Sequence, residues 1–175
     1  MDSETVEEYL DLYSQTQGLL PEKLEEFREA YSEKGFLTRE QLYELAFESS
    51  TRSAYHVKKN PEQRCRDVTA NILKLEDDFS QIALIEALKG FKAPTASVIL
   101  TVKDPERHAV VDTRVWASLE RLGYLEGRKE SFTAEDYVRM IEPIREISEE
   151  TGFTTEELGY ALFAMDVEKR EGNLH

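Results

Sequence analysis

Cysteine is nearly missing from this chain, which has one, Cys65, in 175 residues. A single thiol cannot close an intrachain disulfide, complete a thiolate zinc site or hold a four-cysteine iron–sulfur cluster. Histidine is scarce too: His56, His108 and His175 show no metal-ligand spacing. The expectation is therefore no metal and no cofactor. With 5 prolines, 8 glycines and no low-complexity run, little disorder is expected. No apolar stretch approaches the ~20 residues of a membrane span. Met1-Asp2-Ser3-Glu4 has neither the basic nor the apolar region of a secretory signal. These absences predict a cytoplasmic protein with no membrane partner.

Positive charge is also short. Lysine and arginine number 22 against 36 acidic residues, a net charge of −14, which opposes phosphate binding. The deficit is uneven. Residues 1–50 hold 4 basic and 13 acidic groups (net −9), and residues 131–175 hold 4 and 11 (net −7). Residues 51–130 hold 14 basic and 12 acidic groups, a net of +2, so only the middle suits a polyanion. The acidic ends also read as a solubility device, or as adaptation to a salty cytoplasm.

What is present is helical periodicity from end to end. Val6, Tyr9, Leu10 and Tyr13 form a first stripe, closed by Gly18. Pro21 opens a second helix, with Leu20, Leu24, Phe27 and Tyr31 inward and Gly35 at its end. Thr38 to Gln41 reads as a capping box for a third, and Asn60-Pro61 as a cap and start for the next. Phe79, Ile82, Ile85 and Leu88 predict a short helix ending at Gly90. Ala96 to Val102 then read as an almost wholly buried helix, broken by Asp104-Pro105. The only β-rich run, Ala109-Val110-Val111, reads as an extended link. Asp112 caps a helix with Val115, Trp116, Leu119 and Leu122 inward, stopped by Gly123. Thr133 to Asp136 starts a longer helix that Pro143 should kink or split. Thr154 or Thr155 caps the last. The fold class expected is all-α: one domain over 1–175, with accessory helices at 1–36, a core at 38–123 and C-terminal helices at 133–170.

The segment from Leu84 to Gly123 carries the chemistry. Leu88-Lys89-Gly90-Phe91-Lys92 reads as a hairpin between helices, with Gly90 free to take positive φ. The next helix begins with unpaired N–H groups that suit a phosphate, beside the Lys92 charge and the Thr95 hydroxyl. Taken alone, this is equally a packed hairpin with no ligand. Asp112 alone is equally an ordinary N-cap.

Together, these residues resemble the helix-hairpin-helix, Gly-Pro-Asp superfamily of DNA glycosylases. That family carries a Leu-Pro-Gly-(Val/Ile)-Gly hairpin, a buried helix of small and apolar residues, Val-Asp-Thr-(His/Arg)-Val, and Arg-Leu-Gly. Here these are Leu88 to Lys92, the helix from Thr95-Ala96-Ser97, Val111-Asp112-Thr113-Arg114-Val115, and Arg121-Leu122-Gly123. The resemblance implies a compact helical array that binds DNA and hydrolyses a base N-glycosidic bond. It makes Asp112 the catalytic carboxylate, with Tyr55 or Trp116 helping to line the base pocket. Lys92 stands where the family has its second hairpin glycine. Pro94 stands where bifunctional members have a lysine, which implies a monofunctional enzyme without lyase activity.

Gly90, Lys92, Thr95 and Arg114 are the expected phosphate contacts. Arg52, Lys58 and Lys59, with His56, Arg64 and Arg66, form a basic cluster that grips a backbone or is a solvated face. Arg107 flanks Asp112 and orients a phosphate or pairs with an acid. His108 reads as structural, Cys65 as core, and Glu149-Glu150 and Glu156-Glu157 as solvated helix ends. The alternative to a working glycosylase is a non-catalytic DNA- or protein-binding module on the same fold.

Overall fold

Caps written into the sequence set most helix boundaries. α1 (Ser3–Tyr13) starts behind Asp2, whose carboxylate accepts from the Thr5 N–H at 3.0 Å. α2 (Pro21–Lys34) opens on proline and stops at Gly35, φ 75°. α3 (Arg39–Ser49) carries the reciprocal Thr38–Gln41 box. A single turn, α4 (Thr51–Ala54), runs into a 3₁₀ turn over Tyr55–Lys59. Then follow α5 (Glu62–Ile72), α6 (Asp78–Glu86), α7 (Ala93–Lys103), α8 (Thr113–Arg121), α9 (Ala134–Thr151) and α10 (Thr155–Glu171). This computed structural model describes residues 1–16 and 18–171, so His175 lies outside it. Among the described residues the protein is all-α. The link 109–111 forms no strand, and no helix is long and apolar enough to cross a membrane.

One apolar core takes side chains from every helix. Its pillar is α7, buried continuously from Thr95 to Val102 and packed by α2, α3, α6 and α9. A helix apolar around its whole circumference has to sit inside. α10 lies against α1 and α8, and so brings the two ends of the chain together. Cys65 is fully buried. His108 is buried too and shares a 2.8 Å hydrogen bond with the Tyr137 hydroxyl, and burial pushes its pKa down to about 4.

Four local expectations change. α9 runs unbroken through Pro143, because Met140, Ile141, Ile144 and Ile147 bury its face on both sides of the ring. That burial outweighs the ~3 kcal/mol a mid-helix proline costs. Asn60 does not cap α5, which begins at Glu62 behind Pro61. Instead its buried amide donates to the Val57 and Lys89 carbonyls, both at 2.9 Å, and accepts from the Lys89 N–H at 2.9 Å. It thereby clasps the 3₁₀ turn to the α6–α7 turn. Phe79 faces solvent at 46% exposure rather than the core. Glu156 is no solvated end: it pairs with Arg28 at 3.1 Å and accepts from the Tyr160 hydroxyl at 2.8 Å.

Candidate functional site

The link between α7 and α8 sets the site. The Ser97 hydroxyl, buried in α7, accepts from the Val111 N–H at 3.0 Å. From the other side, the Thr155 hydroxyl donates to the Glu106 carbonyl at 2.6 Å and the Glu156 N–H to the Pro105 carbonyl at 3.0 Å. Gly159 of α10 packs so close to the link that a Cβ there would lie 2.9 Å from Ala109 Cβ and 3.2 Å from the Val110 carbonyl oxygen. Clamped in this way, the link delivers Asp112 to the start of α8.

Asp112 Oδ1 accepts from the N–H groups of Arg114 (2.8 Å) and Val115 (2.9 Å), which fixes the carboxylate. No hydrogen bond to Oδ2 is present among the described residues, and the residue lines a cavity of about 410 Å³. Burial pushes the Asp112 pKa above the ordinary carboxylate value. The Val115 and Arg114 N–H groups and the Arg114 charge oppose that rise only in part, and the Asp166 charge adds to it. The carboxylate is therefore a stronger base than one in water.

Two further groups line the cavity. Tyr13 stacks on Tyr160 at 4.7 Å between ring centroids and meets Phe163 edge-on at 5.6 Å. The tyrosine hydroxyls are engaged, Tyr13 donating to the Leu19 carbonyl at 2.6 Å and Tyr160 to Glu156. The rings thus offer their carbon faces. Hydroxyls come from Ser49, Ser50, Ser53 and Thr95, with Ser49 and Thr95 paired at 3.4 Å. Lys92 and Pro94 complete this wall.

The cavity therefore unites three of the residues expected from sequence: Asp112, Lys92 and Thr95. Thr95 belongs to the cavity wall, 5% exposed, rather than to an outer phosphate site. Gly90 has the expected positive φ of 93°, but a Cβ there would meet Val57 Cγ2 at 2.7 Å and the Val57 nitrogen at 2.9 Å, so it lies packed under the hairpin. At the start of α7 the carboxylate of Glu86 already lies against the Ala93 N–H and the Lys92 charge. Arg114 turns to Asp166 at 3.4 Å. Arg52, Lys58 and Lys59 line no part of the cavity. Lys58 sits 3.9 Å above the Tyr43 ring, and Lys59 contacts His56 Nδ1 at 3.2 Å.

Both aromatic expectations shift. Tyr55 is 56% exposed and does not line this cavity, while Trp116 is buried beside a different cleft. The rings that do line the site, Tyr13, Tyr160 and Phe163, come from the chain ends, where sequence showed only core stripes. No protein-family model, no curated protein and no solved structure matches this chain.

Proposed function

We propose that the protein acts on nucleic acid as a monofunctional DNA N-glycosylase built on a helix-hairpin-helix core. A half-buried carboxylate with one oxygen fixed and the other without a hydrogen bond among the described residues, opening onto a ring-lined cavity of base-accommodating size, carries this reading. The volume falls in the ~300–1,000 Å³ range of small-molecule sites. A base taken out of its stack would be received by the faces of Tyr13, Tyr160 and Phe163. The hydroxyls of Ser49, Ser53 and Thr95 would meet its polar edges.

The reaction needs little else from the protein. As the C1′–N bond breaks, positive charge develops on the sugar, and the Asp112 carboxylate stabilises it. Water forms the new C1′–O bond and gives one proton to Asp112; that proton passes through solvent to the departing base, so the carboxylate is regenerated and one water is consumed. Pro94 offers no amine where bifunctional enzymes have one, and Lys92 is exposed rather than desolvated. The product is therefore an intact abasic strand with no Schiff base.

Incubation with short duplexes carrying deaminated or alkylated bases tests this by release of free base. Wild type should release a base, and Asp112→Asn should slow that release by about 100-fold or more while still binding an abasic-site analogue. Borohydride should trap no covalent adduct. If both proteins bind the analogue and neither releases any base, the chain is the non-catalytic module instead. Equal rates for the two would remove Asp112 from the chemistry.

A further inference from the structure

Asp112 lies at the junction of two depressions. The second, of about 540 Å³, is lined by Lys92, Asp112, Thr113, Glu130 and Phe132. Thr113 and Glu130 also line a third, a cleft of about 800 Å³ between α8, the α8–α9 loop and the end of α10. Shared lining residues set these three depressions side by side, with Asp112 between the first two and Thr113 and Glu130 between the second and third.

Four cations, Arg121, Arg128, Lys129 and Arg170, line the cleft against two acids, Glu120 and Glu130, in a chain of net charge −14. Its cations are held by two buried carboxylates, each outnumbered. Arg121 and Arg170 of the lining, with Arg114 outside it, converge on fully buried Asp166 at 2.5, 2.7 and 3.4 Å. Lys129 of the lining shares Asp136, which is 3% exposed, with Arg139 outside it, and both lie over the Trp116 ring at 5.5 and 5.3 Å. Arg128, exposed on the loop, makes no ion pair among the described residues. Internal pairing alone would not set three arginines on one carboxylate. The arrangement pre-orders guanidinium groups that still have donors to offer an anion.

We propose that this cleft is a track for the phosphodiester backbone of the strand whose base occupies the Asp112 cavity. The inference rests on the nucleic-acid reading of that cavity. It assigns the main electrostatic contact to Arg121, Arg128, Lys129 and Arg170 instead of the start of α7, where Glu86 already faces the Ala93 N–H. Phosphates entering here meet fixed cations, and the sugar next in line is brought to the carboxylate.

The test is anisotropy of a labelled short single strand and of a duplex with an abasic-site analogue, titrated from about 50 to 200 mM salt. Arg128→Glu should weaken binding about tenfold, and Arg128→Ala should lower the log–log salt slope by about 1, as loss of one phosphate contact does. The same reversal in an Asp112→Asn background should weaken binding equally. Lys74→Glu, on the loop after α5 and lining none of these cavities, should bind within twofold of wild type. Unchanged affinity and slope in the Arg128 variants, with wild type binding well, would overturn the track and leave the cavity reading standing. An equal loss with Lys74→Glu would reduce the effect to net charge and would also overturn it. If wild type binds neither probe at low salt, the cavity reading fails and takes the track with it.

Discussion

Both N–H groups held by Asp112 Oδ1 belong to the first turn of α8, so one carboxylate caps a helix and faces a cavity. The two roles have opposite energetic signs. Capping favours the charged form, whereas burial raises the pKa above its ordinary value, and burial dominates. A folded-state pKa above the unfolded one favours folding at low pH, and that contribution is lost as pH rises through the folded value. At neutral pH the charge of Asp112 therefore opposes folding. Asparagine keeps the cap without the charge. Asp112→Asn should melt no lower than wild type, with any gain shrinking as pH falls from the raised folded value towards the ordinary carboxylate value, while base release collapses. Thermal melts at several pH values check this, and a clear fall in Tm would reverse the sign. In wild type the acid limb of base release should lie above that of an ordinary carboxylate, because the ionised form accepts the water proton. At this scale Asp112 was legible, since a cap and a motif coincide on it. Tyr13, Tyr160 and Phe163 were not: an aromatic on a helical stripe reads as core whether its outer face meets a neighbour or a cavity.

Elements were easier to read than their junctions. Thr38, Pro21, Gly35 and Asp112 mark helix ends through local hydrogen bonds and φ preferences, which sequence encodes directly. Asn60 was misread because its partners, the Val57 and Lys89 carbonyls, lie on two different turns, one of them far along the chain. The helix does not split at Pro143, because the proline's cost is local and its compensation is packing against other helices. Gly159 shows the same limit from the other direction. In isolation Gly→Ala inside a helix gains about 1 kcal/mol. Here the added Cβ would stand 2.9 Å from Ala109 Cβ, on the link that carries Asp112. Overpacking of this kind costs about 1–3 kcal/mol. Gly159→Ala should therefore lower Tm and reduce base release about tenfold or more, with helical circular dichroism retained. Wild-type rates in that variant would show that the link yields without moving the carboxylate.

For the molecule as a whole, counting charge by thirds of the sequence placed the only phosphate-friendly region at 51–130. The cleft crosses that boundary, because Arg170 of the acidic last segment lines it beside Arg121, Arg128 and Lys129 of the middle one. The same fold sets acidic α1 against α10, joining a segment of net −9 to one of net −7. Repulsion between them weakens the compact state, and attraction at the cleft favours a polyanion, so added salt acts on the two in opposite directions. Raising sodium chloride from about 10 mM to 0.5 M shortens the Debye length from ~30 Å to a few ångströms. Over that range Tm should rise, most steeply at the low end, while affinity for DNA falls. A flat Tm would mean that the ion pairs already neutralise the acidic ends, and the opposed responses would then reduce to the cleft alone.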